Sequence, residues 1–225
     1  IRQMLEEKDQ LSRQDFARMQ VDVLSMRAVE AVPRLIDILA RSSEDRVSRA
    51  VGYLKPWDHR MGPDSVAASL FEVFFFKWSE TIAGERFEND AVPLVAGAVA
   101  GMATRLLSDD IGWFESKTRD EAVIESMTRA LDDIEGRLGP DMDNWKGGEI
   151  HRIKLPHFLS GRGDLGSLLD RGGRPIGGNG ITVCNTGYDP NYLAAIGANW
   201  RHNADLADDP PGLWAVDAAG QSGHP

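Results

Sequence analysis

The stretch Asp143-Asn-Trp-Lys-Gly-Gly-Glu-Ile-His-Arg-Ile-Lys-Leu-Pro-His157 divides the chain into two halves of different character. Upstream, apolar residues recur at helical spacing. Phe16, Met19, Val23 and Met26 mark one face, and Ser12 followed by Asp15 has the form of a capping pair, which predicts a helix over 12–28. A second helix is expected over 29–40, with Pro33 tolerable only in its first turn. Ser42 and Asp45 suggest a further start, leading to a helix that stops before Pro56. Others fit 63–85, 92–107 and 119–138, the last closed by Gly139-Pro140.

Downstream, apolar runs shorten and glycine rises. Residues 149–155, 181–185, 195–204 and 213–217 read as strands, separated by glycine- and proline-rich turns. The connection over 161–180 is long for a compact domain, so it is either functional or carries a short helix over 165–169. The class is α+β: a mainly helical part over 1–140 and a strand-rich part over 141–225, both belonging to one larger domain.

Composition excludes several roles. With 225 residues, 42% of them hydrophobic, and six tryptophans, the chain can bury a sizeable core. Acidic residues outnumber basic ones 35 to 25, a formal charge of −10, which argues against nucleic acid or an anionic membrane surface as partner. The single cysteine, Cys184, rules out an internal disulfide framework, and no CxxC pattern suggests structural zinc. The opening IRQMLEEKDQLSRQD lacks the apolar core of a secretory signal. The apolar window 91–104 has the length of a buried core helix, and Phe74-Phe75-Phe76 is hemmed in by Glu72 and Lys77, so neither reads as a membrane span.

The two histidines of the dividing stretch would lie on one side of a straight strand, but roughly 20 Å apart at about 3.3 Å per residue. They could not share one zinc without help from elsewhere, such as His202 and Asp205 in RHNAD. The plainer reading gives His151 and His157 packing and hydrogen-bonding roles. No GxSxG elbow is present, and Gly172-Gly-Arg-Pro-Ile-Gly-Gly-Asn-Gly180 lacks the lysine-hydroxyl ending of a phosphate loop, so it reads as turn chemistry. The pair Asp109-Asp110 and the run Leu131-Asp-Asp-Ile-Glu135 read as solvated helix ends or faces.

Several landmarks in fixed order carry a resemblance. Gln20-Val-Asp22 with Ser25, Leu54-Lys-Pro-Trp57-Asp58, and Asp64 to Glu72 come first. Trp145-Lys-Gly-Gly-Glu-Ile-His151 with Leu155-Pro-His157 follows, then Gly177-Gly-Asn-Gly-Ile-Thr182-Val183. Gly197-Ala-Asn-Trp-Arg201 with Asp205, and Gly220-Gln221-Ser-Gly-His-Pro225, complete the series. Together they resemble the penicillin acylase family, amidases with an N-terminal nucleophile, and map this chain onto the C-terminal half of the large (β) subunit. Asn179 stands where that family more usually has aspartate.

The resemblance implies a segment of a larger four-layer αββα hydrolase. It also implies linear amide hydrolysis by a serine exposed through self-cleavage, whose own α-amino group serves as base, with backbone and asparagine donors stabilising the oxyanion. The chain begins with Ile1 and contains no Ser-Asn dipeptide, so it is expected to be a structural segment, inactive alone. Its site candidates are accordingly structural: Gln20, Asp22, Trp57, Asp58, Trp145, His151, His157, Gly177, Thr182, Arg201, Asp205 and Gln221. Trp57 is expected to pack where Pro56 ends a helix, Asp58 to cap or pair nearby, and Arg201 to pair with Asp205 four residues on.

No catalytic, cofactor or metal residue is expected within these residues; calcium, bound by some members, would be held mainly upstream. The implied partners are a small amide substrate, a small (α) subunit and the N-terminal part of the β subunit, in a periplasmic or extracellular setting. The competing readings are a non-catalytic scaffold of the same architecture and a metallohydrolase using His151, His157, His202 and Asp205.

Overall fold

A computed structural model describes residues 1–198, 200–207 and 209–216. The helices begin with α1 (Arg2–Leu5), α2 (Arg13–Gln20), α3 (Met26–Leu39), α4 (Asp45–Leu54), α5 (Val66–Gly84), α6 (Val92–Ser108) and α7 (Arg119–Leu138). A short α8 (Gly147–Ile150) leads into β1 (Arg152–Leu155), followed by α9 (Leu165–Leu169) and β2 (Arg171–Pro175). β3 (Thr186–Tyr188), β4 (Ala194–Gly197), β5 (Arg201–Asp205) and β6 (Gly212–Val216) complete the described elements. The chain is α+β and divides into two compact units, Ser25–Glu149 and a second formed by Ile1–Leu24 with Ile150–Pro225.

Local chemistry sets the helix ends. Ser12 and Asp15 form a reciprocal capping box at the start of α2, and Thr118 and Glu121 form another at α7, which stops at Gly139 with φ 82°. The helix expected over 12–28 ends at Gln20, and the second, expected over 29–40, begins earlier, at Met26. The Ser25 side chain accepts the Ala28 N–H, so the chain leaves α2 after Gln20 and restarts at Met26. Pro33 consequently lies inside α3 rather than in a first turn. It is exposed, as is Val29, whose carbonyl has no N–H of residue 33 to accept.

In the Ser25–Glu149 unit, α5 is apolar nearly all round and forms the centre, flanked by α6 and α7. Phe71, Phe74, Trp78 and Ile82 have no exposed surface, each worth about 1.5–3 kcal/mol of burial. The Trp78 indole N–H still finds a partner, the Ala103 carbonyl at 2.9 Å. α6 differs from the fully buried helix expected there. Ala103, Leu106 and Leu107 are buried at its C-terminal end, but Leu94 is 83% exposed. Among the described residues no helix is long and apolar enough to cross a membrane.

In the second unit a four-stranded sheet runs in the order β2-β1-β4-β3, with β1 antiparallel to β2 and parallel to β4. β5 and β6 form a separate antiparallel ribbon, from Arg201 opposite Val216 to Asp205 opposite Gly212. The strand expected over 149–155 starts only at Arg152, because the preceding Gly-Gly winds into α8. Residues 181–185 form a turn rather than a strand, and the strand expected over 195–204 splits between the sheet and the ribbon. The short helix over Leu165–Leu169 is present, and β2 follows it within the same connection. The expected strand at 213–217 is β6, one residue earlier; Asp217 lies outside the described residues.

Candidate functional site

Trp57, Asp58 and Trp145 belong to the helical unit. Trp57 follows α4, packs on Phe71 with ring centroids 5.6 Å apart, and donates its indole N–H to the Arg60 carbonyl at 3.1 Å. The Asp58 carboxylate accepts the Arg60 N–H at 3.0 Å, closing an Asx turn. That turn presents the His59 carbonyl to the Ser25 N–H at 3.0 Å, at the start of α3.

Trp145 is 1% exposed. Its indole N–H reaches the Gly139 carbonyl at 2.8 Å, where α7 ends, and its own carbonyl accepts the buried Ser69 hydroxyl from α5. Gly147 and Gly148 then donate to the Ser65 and Pro63 carbonyls at 2.9 and 2.7 Å. A Cβ on Gly147 would lie 2.9 Å from the Gly62 carbonyl oxygen, so the close backbone approach requires glycine. Trp-Lys-Gly-Gly thus ties α7 to the start of α5.

In the other unit, Asp22, His151, Gly177, Thr182 and Arg201 meet around one turn, 177–186, whereas His157 and Asp205 lie elsewhere. Gly178 has φ 90°, and a Cβ there would sit 2.2 Å from the Cys184 carbonyl oxygen. The Asn179 side-chain oxygen accepts the Ile181 and Thr182 N–H groups, both at 3.1 Å. The Thr182 hydroxyl donates to the Cys184 carbonyl at 2.6 Å and accepts the Asn179 N–H at 2.9 Å. Asn179 is 1% exposed. A neutral amide serves here as acceptor without burying a charge.

The turn is held from two sides. From the segment after α2, the Asp22 carbonyl accepts the Cys184 N–H at 2.8 Å, while Gln20 donates to the His202 carbonyl at 2.9 Å and to the Asn203 side chain at 3.2 Å. From just before β1, His151 is 1% exposed and stacks on Tyr188, ring centroids 3.5 Å apart and 6° from parallel. Its Nδ1 lies 2.9 Å from the Tyr192 carbonyl and its Nε2 3.3 Å from the Thr186 hydroxyl, which donates to the Gly177 carbonyl at 2.9 Å. Burial lowers the His151 pKa, opposed by the backbone of Tyr192 and of Thr186 and by Asp189, so the neutral ring is favoured.

The expected ion pair of Arg201 with Asp205 does not form. The two residues stand at opposite ends of β5, about 13 Å apart at strand rise. The guanidinium meets the Cys184 sulfur at 3.5 Å, and the Asp205 carboxylate accepts the Ala207 N–H at 3.1 Å. His157 lies past β1, where its N–H donates to Asp170 at 2.8 Å and its Nδ1 accepts the Leu159 N–H at 3.2 Å. Hydrogen bonds from Ser160 and then His157 hold the Asp170 carboxyl below its usual range. Gln221 lies outside the described residues.

His202 accepts the Trp200 indole N–H at 2.8 Å. The histidines therefore engage separate local partners, and among the described residues no group of three or more His, Cys, Asp or Glu side chains comes together to hold a metal ion. Sequence reasoning missed Ser69, Thr186, Tyr188 and Tyr192. All four act through contacts distant in sequence, and Tyr192 at φ 68° carries no turn signal of the glycine or asparagine kind.

Fold and site thus define an α+β chain whose marked residues brace one another's backbones. The chain belongs to the penicillin amidase family, whose sequence profile matches residues 1–225. It is 31% identical over 183 residues to the penicillin acylase 2 proenzyme of Pseudomonas sp. (strain SE83), covering 75% of this chain and 22% of that protein. It is also similar to the acyl-homoserine lactone acylases QuiP of Pseudomonas putida, 24% over 216 residues, and Pseudomonas aeruginosa, 25% over 252 residues. Those matches cover 87% and 94% of this chain, but 26% and 30% of the respective relatives. The chain therefore spans less than a third of the length of these curated relatives.

Proposed function

We propose that this chain is the structural C-terminal part of the large subunit of an amide-hydrolysing acylase, whose nucleophile, an N-terminal serine, lies outside residues 1–225. The observation that carries the reading is the family match over the whole chain, together with a site in which the marked side chains serve backbone partners. A structural segment needs that internal satisfaction; a catalytic centre needs groups presented to a substrate.

The names of the relatives support the chemistry. One is a penicillin acylase proenzyme and others act on acyl-homoserine lactones, so the substrate class is a linear amide joining an acyl group to a small amine. In this reading the 177–186 turn and the Trp145 junction hold the sheet and helices on which the reacting subunit relies. They contribute to turnover through position alone. A small subunit, the preceding part of the large subunit, any calcium and export from the cytoplasm belong to the same proposal.

Intact mass and N-terminal sequencing of the purified full-length protein test it, followed by a screen of phenylacetyl, glutaryl and fatty-acyl amides. Two chains, the larger opening with serine, and release of free amine are expected. A single uncleaved chain without amidase activity overturns the proposal in favour of a non-catalytic scaffold.

A further inference from the structure

The hydrogen-bond chain through His151 contains fewer hydrogens than it has places for them. The Tyr192 carbonyl can only accept, so His151 Nδ1 carries the hydrogen of the neutral ring and Nε2 is left as an acceptor. Across from Nε2 at 3.3 Å stands the Thr186 hydroxyl, which has a single hydrogen and two acceptors competing for it, Nε2 and the Gly177 carbonyl at 2.9 Å. The shorter contact is to Gly177. With the hydroxyl hydrogen placed there, an oxygen lone pair faces the bare Nε2. One added proton resolves the conflict: Nε2–H donates to the Thr186 oxygen, the hydroxyl donates to Gly177, and Nδ1–H donates to Tyr192.

We propose that His151, Thr186 and Gly177 form a proton-operated switch, in which the charge on the imidazole decides where the Thr186 hydroxyl hydrogen goes and how firmly the Gly177 end of the 177–186 turn is held. The surroundings suit such a device. The ring is 1% exposed, so bulk water does not substitute for either partner. The stacked Tyr188 face, 3.5 Å away, favours a cation. Asp189 supplies the nearby negative charge, itself 3.6 Å from Lys154 on β1.

The other titratable or charged groups on the packed elements are Arg152 on β1, Arg171 and Arg174 on β2, Tyr192 after β3, and Cys184 in the turn, which Asp22 and Arg201 meet. Burial resists protonation and keeps the neutral, shared arrangement dominant near neutral pH. Acid therefore selects the fully bonded arrangement within the folded state.

The test is a pH titration by NMR of the full-length protein, labelled at histidine nitrogens and glycine carbonyl carbons, in the parent sequence and in Thr186→Val, Thr186→Ser and His151→Gln. A neutral ring protonated on Nδ1 is expected, with the Gly177 carbonyl shift moving at the same midpoint as His151. Thr186→Val should lower the proton affinity of His151 about tenfold, the worth of a hydrogen bond to a charged group, and abolish the Gly177 inflection. Thr186→Ser should keep both, and His151→Gln should leave the Gly177 shift flat with pH.

A neutral ring protonated on Nε2, or a Gly177 shift in the parent protein that ignores the His151 titration, overturns the switch even if no variant folds. So does a raised or unchanged proton affinity in Thr186→Val, which would mean that the hydroxyl is not acting as the acceptor of Nε2–H.

Discussion

Gly147→Ala tests how tightly the Trp-Lys-Gly-Gly segment is seated. The added Cβ would lie 2.9 Å from the Gly62 carbonyl oxygen and 3.4 Å from that of Ser65, both backbone atoms that cannot rotate away. Overpacking of this kind costs about 1–3 kcal/mol. The shift it forces would stretch the Gly147 N–H bond to Ser65, now 2.9 Å, losing about 1 kcal/mol more. Alanine's smaller backbone entropy returns up to about 1 kcal/mol, leaving a net destabilisation of about 1–3 kcal/mol.

At about 2–4 °C per kcal/mol for a chain of this size, calorimetry should show Tm lower by roughly 2–12 °C. Gly136→Ala is the matched control. Gly136 lies inside α7, and a Cβ there would meet nothing within 4 Å. The same chemical change should stabilise by about 0.5–1 kcal/mol, raising Tm by roughly 1–4 °C. If Gly147→Ala melts at or above the parent chain, the close approach to Gly62 is not a constraint and the reasoning fails.

Trp145→Phe keeps most of the buried ring but leaves the Gly139 carbonyl without its indole donor, and should destabilise by about 1–3 kcal/mol in urea unfolding. Thr118→Ala removes the cap of α7 and should cost about 1 kcal/mol in the same assay, with Thr118→Ser close to the parent chain. Because burial lowers the His151 pKa below its unfolded value of 6.5, the unfolded chain binds the extra proton first. The stability from a neutral His151 is therefore complete above about pH 6.5 and falls as pH drops through the folded pKa. Unfolding free energies measured from pH 8 to 5 should show this loss in the parent chain and a smaller one in His151→Gln.

Helices proved readable where their ends carry local chemistry. α7 is bounded by Thr118, Glu121 and Gly139, all explicit in the sequence, and was expected at its observed limits. The break between α2 and α3 was not, because Val23 and Met26 continue the apolar spacing of Phe16 and Met19. Only the Ser25 cap, with its bond to the distant His59 carbonyl, shows that the helix restarts. β2, Arg-Gly-Gly-Arg-Pro, has no strand-like side-chain pattern. It exists because Gly172, at φ 131°, lets its backbone lie against Ile153. The residues marking the candidate site were visible as a pattern, but their work was not, since His151 depends on Thr186, Tyr188 and Tyr192, which no local spacing connects to it.

The second unit is built from two pieces of chain separated by the whole helical unit. Gln20 waits for His202, 182 positions later, before its side chain can bind. On a ribosome adding about 5–20 residues per second, roughly 10–35 s pass between the emergence of one partner and the other. During that interval Ile1–Leu24 still lacks its partners in 150–225, while Ser25–Glu149 can already form its core. The order of synthesis thus separates the two pieces of this unit in time, whereas the residues of the helical unit emerge in one continuous run.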